Sequence, residues 1–203
     1  MSADSNVTSF DDPQFSARIR AGDQTAIHAV VRAYLGQILR AARGAGLEAS
    51  RAEDVTQETF MTFIEKAGNF DGRSHVRTWV FGILYKKLLE VHREVQRNLR
   101  MDDIEDVMEQ RFDASGSWIR PPQPVETEVY YSEVRESIQE CLDNVPVQQR
   151  MAFVLREVEG FSTEEICKIL EVSRTNLGVL LYRVRNRLRE CLEAKGVRRE
   201  PLC

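Results

Sequence analysis

Residues 161–189 read FSTEEICKILEVSRTNLGVLLYRVRNRLR, and this stretch decides the fold. Ser162 followed three residues later by Glu165 is a capping box, a pairing that satisfies the first free backbone N–H groups of a helix. Ile166, Ile169 and Leu170 then follow at helical spacing, Glu171 and Val172 form a break, and Ser173 is placed to cap a second helix. In that helix Leu177, Leu180, Leu181, Val184 and Leu188 recur every three or four residues and make one buried stripe. The opposite face carries Arg174, Thr175, Asn176, Tyr182, Arg183, Arg185, Arg187 and Arg189, and residues 174–189 hold five arginines and no acid. A helix-turn-helix that docks in a DNA major groove needs this division. Apolar residues hold the second helix to its partner, while Arg, Asn and Thr reach phosphates and base edges. An amphipathic hairpin whose arginines only meet water fits the same pattern.

Upstream, helical periodicity starts at about Val129, with Val134, Ile138, Cys141 and Leu142 on one face. Pro146 suits the first turn of the next helix, which carries Met151, Phe153, Val154, Leu155 and Val158 and stops near Gly160. Residues 101–128 have no sustained period, contain Gly116, Pro121, Pro122 and Pro124, and read as a flexible acidic linker. The charge is unevenly placed: 14 basic and 12 acidic side chains in residues 1–100, 3 and 11 in 101–140, 11 and 9 in 141–203. A net charge of −4 therefore does not argue against nucleic acid, because the acids are concentrated in the middle.

The first hundred residues form a second helical module. Residues 1–12 are expected to be disordered. Gly22 breaks the first helical segment, Asp23 caps the next, and Ile27, Val30, Val31, Tyr34, Leu35, Ile38 and Leu39 keep helical spacing until Gly44 and Gly46. Ser50 and Glu53 repeat the capping-box spacing. Behind them Val55, Thr59, Phe60, Phe63 and Ile64 supply an inward side, and Asp54, Gln57, Glu58 and Glu65 an outward one. After Gly68 comes NFDGRSHVRTWVFGILYKKLLEVHREVQRNLR, residues 69–100, with a turn at Asp71-Gly72 and a long helix from about Ser74. From Arg73 to Arg100 seven basic residues face two acids, and Phe70, Trp79, Phe81 and Tyr85 are interleaved with Arg73, Arg77, Lys86 and Lys87. Cations beside aromatics are what a protein needs to hold a single strand of nucleic acid. Core packing is the competing role for Trp79 and Phe81.

The remaining features exclude several classes. No apolar run reaches the length of a membrane span, and MSADSNVTSFDD lacks the regions of a signal peptide, so a cytoplasmic protein is expected. Cys141, Cys167, Cys191 and Cys203 have neither CxxC spacing nor a nearby histidine and read as reduced, packing thiols, with no metal and no cofactor implied. No triad, metal-ligand cluster or phosphate-cradling glycine loop points to an enzyme.

An all-α chain of two small helical domains, an acidic linker and a terminal helix-turn-helix resembles a bacterial sigma factor. It is similar to the extracytoplasmic-function group of the sigma-70 family, which keeps only regions 2 and 4. The strings that carry the resemblance are AEDVTQETFMTFIEKAGNFDGRSHVRTWVFGILYKKLLEVHR and VPVQQRMAFVLREVEGFSTEEICKILEVSRTNLGVLLYRVRNRLR. It implies region 2 over 13–100, a linker over 101–128, region 4 over 129–195 and a tail over 196–203. It also implies that Asp54, Gln57 and Glu58 bind the β′ coiled coil of core RNA polymerase, with region 4 on the β flap. The −10 promoter element would be held by Phe70, Asp71, Gly72, Arg73, Ser74 and His75 with Arg77, Trp79, Lys86, Lys87 and Arg93. The −35 element would be read by Arg174, Thr175, Asn176, Val179, Tyr182 and Arg183. Relatives of this kind are usually held inactive by an anti-sigma factor. Lys86 stands where many relatives have Asn, and Gly178 where some have Arg, which bears on promoter sequence rather than class. A stand-alone helix-turn-helix regulator and a helical adaptor for acidic proteins are the rival readings.

Overall fold

The computed structural model describes residue 10 and residues 12–96, 137, 138, 140–142 and 145–195. The linker 101–128 and the tail 196–203 lie outside the described residues. Every element among the described residues is helical: α1 (Pro13–Arg20), α2 (Gln24–Gly44), α3 (Ala49–Lys66), α4 (Val76–Gln96), α5 (Val147–Phe153), α6 (Thr163–Leu170) and α7 (Arg174–Ala194). A 3-10 turn, Ala67–Asn69, follows α3, and α5 widens into a π-type segment, Val154–Val158.

Local chemistry sets most of these ends. Asp12 accepts from the Gln14 N–H to cap α1, and Asp23 accepts from the N–H groups of Thr25 and Ala26 to cap α2. Two residues of the stretch 1–12 are thus held in place, since Phe10 also packs edge-on against Phe15 at 5.0 Å and against Tyr34 at 5.3 Å. The expected cap of α3 is corrected: Ser50 and Glu53 lie inside the helix, which starts after Glu48 without a side-chain cap. The Ala52 N–H already bonds the Glu48 carbonyl at 2.8 Å, so the turn is closed before Ser50 can act. Ile64, expected inside, is 47% exposed. α4 starts at Val76, within two residues of Ser74 as expected, and the neighbour that closes its first turn is His75, whose Nδ1 accepts from the Arg77 N–H at 3.0 Å.

The two modules share one apolar core. Ile19, Val30, Ile38, Val55, Phe63, Val80, Phe81 and Leu84 of the first are continuous with Met151, Leu155, Phe161, Ile166, Ile169 and Leu177 of the second. α4 lies against α6, and Phe81 meets Phe161 edge to face at 4.7 Å, an arrangement that adds about 0.5–1.5 kcal/mol beyond burial. Gly44 lets α2 come this close: a Cβ there would sit 2.9 Å from Val154 Cγ2. His92 of α4 has its pKa pushed down, by burial first and by the charge of Arg150 second. A smaller cluster of Cys141, Leu142, Val145, Val184 and Leu188 joins the helical residues around 141 to the far half of α7.

The cysteine expectation is corrected here. Cys141 and Cys191 are joined by a disulfide across 50 residues of sequence, while Cys167 is free. Nothing in a separation of that length announces a pair; only the packing of residue 141 against α7 brings them together.

Candidate nucleic-acid interface

The loop 70–75 is stiffened from several sides. Arg20 Nε donates to the Phe70 carbonyl at 3.1 Å, and Asp71 Oδ1 accepts from the Arg73 N–H at 3.0 Å. Gly72 turns the chain at φ +74°, a conformation that side chains rarely adopt. Asp71, Gly72 and Arg73 are exposed at the tip, and Ser74 and His75 are half-buried. The Phe70 ring, expected in the strand-holding set, is buried and stacks on Trp79 with 4.9 Å between centroids. Trp79 in turn meets Phe63 edge-on at 5.6 Å, so its free side is only part of the ring.

Along α4 three of the expected cations, Arg77, Lys86 and Lys87, are engaged by acids. Arg77 is held most firmly: its Nε donates to Gln37 Oε1 at 2.8 Å, its Nη2 donates to the Glu159 carbonyl at 2.8 Å, and its guanidinium lies 3.9 Å over the Phe161 ring. The Glu159 carboxylate, only 2% exposed, is within 3.4 Å of Arg77 Nη2 and 3.5 Å of Arg40 Nε. Thr78 donates to Glu165 at 3.2 Å, and exposed Lys86 pairs with Glu171 at 3.1 Å. Lys87 lies between Glu58 of α3 at 3.7 Å and Glu90 at 3.4 Å, and Arg93 is exposed.

The outer face of α3 exposes Asp54 and Gln57 and half-buries Glu58. Met61 and Ile64 continue that face, 60% and 47% exposed. Sequence patterning placed Ile64 inside and gave Met61 no side, because Ile and Met at helical spacing suit a core and a surface equally well.

On α7 the capping geometry matches the sequence reading. The Ser162–Glu165 capping box is formed, Ser173 Oγ accepts from the Asn176 N–H, and Glu171 makes the break in the left-handed conformation, φ 56°. Arg174, Thr175, Asn176, Val179 and Arg183 are exposed on the first half of the helix, and Tyr182 is half-buried. Leu177, Leu180, Leu181, Val184 and Leu188 are sunk on the other side. Arg174 pairs with Glu164 at 2.7 Å, which ties the start of α7 to α6. The Arg187 pKa is lowered, by burial and then by Arg183.

Gly178 sits on the exposed side, and a Cβ there would meet nothing within 4 Å. Gly178→Ala is therefore expected to stabilise the helix by about 1 kcal/mol. A urea titration that shows no gain would mean the position needs its flexibility.

Two matches bracket this architecture: Sigma-70 region 2 over residues 30–98 and Sigma-70, region 4 over residues 135–188. A Haemophilus influenzae protein described as "Probable RNA polymerase sigma factor" is 33% identical, aligned over 73% of this chain and 80% of that protein. The chain belongs to the sigma-70 family, in its extracytoplasmic-function group. The RNA polymerase sigma-H factor of Pseudomonas aeruginosa is 26% identical over 92% of this sigma factor and 96% of its own length. The Bacillus subtilis ECF sigma factor SigX is 28% identical over 71% and 72%. Among solved structures, CnrH in complex with the cytosolic domain of CnrY has TM-score 0.62, 22% identity and covers 91% of this chain and 98% of its own. The sigma factor RpoE of Bartonella quintana, solved with the anti-sigma factor NepR, has TM-score 0.60 and 23% identity and covers 82% and 96%. Both show the same fold. The sigma factor is thus a transcription initiation factor that binds core RNA polymerase and promoter DNA. Among the described residues no helix is long and apolar enough to cross a membrane.

Proposed function

We propose that this sigma factor divides its work between residues 13–100, which hold core polymerase and the −10 element, and residues 129–195, which read the −35 element, in the cytoplasm. The observation that carries this is the open face of α7. Arg174, Thr175, Asn176, Val179 and Arg183 stand exposed on one side of a helix whose other side is locked into the core. That is how a recognition helix presents donors to base edges. The β flap would take the remaining surface of the same module.

The loop 70–75 and the cations of α4 would hold the melted −10 strand. Extruding a base costs a few kcal/mol, which a stiff loop with a shaped surface returns without further ordering. The tip residues Asp71, Gly72 and Arg73 are placed for this, with Ser74 and His75 behind them. Arg77 and Lys86 would first have to exchange Glu159 and Glu171 for phosphates, so the packed arrangement of the two modules is a closed form that DNA binding opens. Control by an anti-sigma factor, as in the Bartonella complex, would act on the same equilibrium.

The test is in vitro transcription with sigma-free core polymerase on genomic DNA from the source organism, with the transcript starts sequenced. New starts that share spaced −10 and −35 motifs are the expected result. DNA binding without polymerase and no new starts would replace this reading with a stand-alone regulator. On the promoters so found, Arg183→Ala is expected to weaken −35 binding by about 1–3 kcal/mol, as loss of a base contact does. An unchanged footprint over the −35 would remove Arg183 from the set.

A further inference from the structure

We propose that Cys141 and Cys191 are a redox-responsive pair that fastens the helix-turn-helix module under oxidising conditions. The sulfurs lie in the small apolar cluster apart from the main core, where Leu142 and Val145 pack against Val184 and Leu188. The bond ties residue 141 to α7 and closes a loop that contains α5, α6 and most of α7. A tie across 50 residues restricts the unfolded module strongly, because the lost chain entropy grows with loop length.

The compartment makes the pair a switch rather than a fixed staple. In the cytoplasm proposed above, low-molecular-weight thiols reduce protein disulfides, and those that form there are transient and responsive. The two sulfurs differ in access: Cys141 is buried at 4% exposure, whereas Cys191 is half-buried. Oxidation therefore begins at Cys191. Its thiolate attacks a low-molecular-weight disulfide such as glutathione disulfide, forming a mixed disulfide and releasing one thiolate. The Cys141 thiolate then attacks the Cys191 sulfur, the internal bond forms, and the second thiolate leaves. The protein loses two electrons and two protons, and one glutathione disulfide becomes two glutathiones. Cys167 lies inside the closed loop, is free and partly exposed, and serves as an internal control thiol.

The experiment equilibrates the full chain in glutathione buffers of graded ratio, quenches with acid, alkylates and maps the modified cysteines by mass spectrometry, with melting curves at each end of the series. Cys141 and Cys191 are expected to lose alkylation together and at a less oxidising ratio than Cys167, which can form only a mixed disulfide with glutathione. The oxidised chain should melt roughly 5–15 °C higher than the reduced one. Cys141→Ser and Cys191→Ser should each melt like the reduced chain and ignore the buffer. If either variant does not fold, the untreated chain with and without reductant carries the same comparison. With holoenzyme on a start-mapped promoter, the −35 footprint should survive to a higher temperature in the oxidised form. Alkylation of Cys141 in the most oxidising buffer, pairing of Cys191 with Cys167 or Cys203 instead, or equal melting of the two forms would overturn the proposal.

Discussion

Replacing Arg77 by methionine is expected to destabilise the packed chain by about 3 kcal/mol or more. The reason lies with the partner left behind: the Glu159 carboxylate is 2% exposed and, among the described residues, would keep only Arg40 at 3.5 Å as an ion-pair partner, and stranding one member of a buried ion pair costs about 3–5 kcal/mol. The same change removes the donor to Gln37 and the cation over Phe161. Arg77→Lys should recover little, because an ammonium cannot lie flat on a ring and reach two acceptors in one plane. Urea unfolding checks both, and a loss under about 1 kcal/mol would show that the pair is an incidental contact.

Glu159→Gln separates folding from function, since Glu159 belongs to none of the proposed DNA contacts. With the charge gone, Arg77 is easier to release, and the closed form competes less well with DNA. Binding of the free chain to a single-stranded −10 oligonucleotide should tighten by about tenfold, equivalent to about 1.4 kcal/mol taken from the closed state. Unchanged affinity, with Arg77→Met still destabilising, would mean that the modules separate without help from DNA.

The helix ends were legible in the sequence where a side chain bonds its own backbone. Ser162, Glu165, Ser173 and Asp23 do what their spacing implies, because a cap is settled within four residues. Ser50 and Glu53 show the limit of that signal: the spacing is present, but a helix already closed from Glu48 has no use for it. The exposed face of α7 was legible too, since one helix alone sorts its apolar and cationic sides. What escaped were contacts between distant segments. Arg77 and Glu159 are 82 residues apart and Cys141 and Cys191 are 50 apart, and no period or motif couples such positions. Phe70 shows the same limit from the other side: an aromatic beside cations suits strand stacking and core packing alike, and only the ring of Trp79 above it decides which face is free.

The largest effect on function is expected on α3. Asp54→Arg should abolish holoenzyme formation, because it reverses a charge on an exposed face proposed to meet core polymerase and disturbs no ion pair among the described residues. Met61→Asp asks a sharper question. Met61 is 60% exposed, so the change leaves the core intact and should alter stability by less than about 0.5 kcal/mol. If the face works as an acidic edge beside an apolar centre, Met61 is the anchor that loses water on docking, and truncation or charging of such an anchor costs about 2 kcal/mol or more. Affinity for core polymerase should then fall at least about thirtyfold, while Ile64→Ser, 47% exposed on the same face, should fall less. Competition for core polymerase against a labelled sigma factor reads both numbers. Loss with Asp54→Arg and none with Met61→Asp would confine the contact to the polar half of the helix. No loss with either, in folded variants, would move the polymerase contact off α3 altogether.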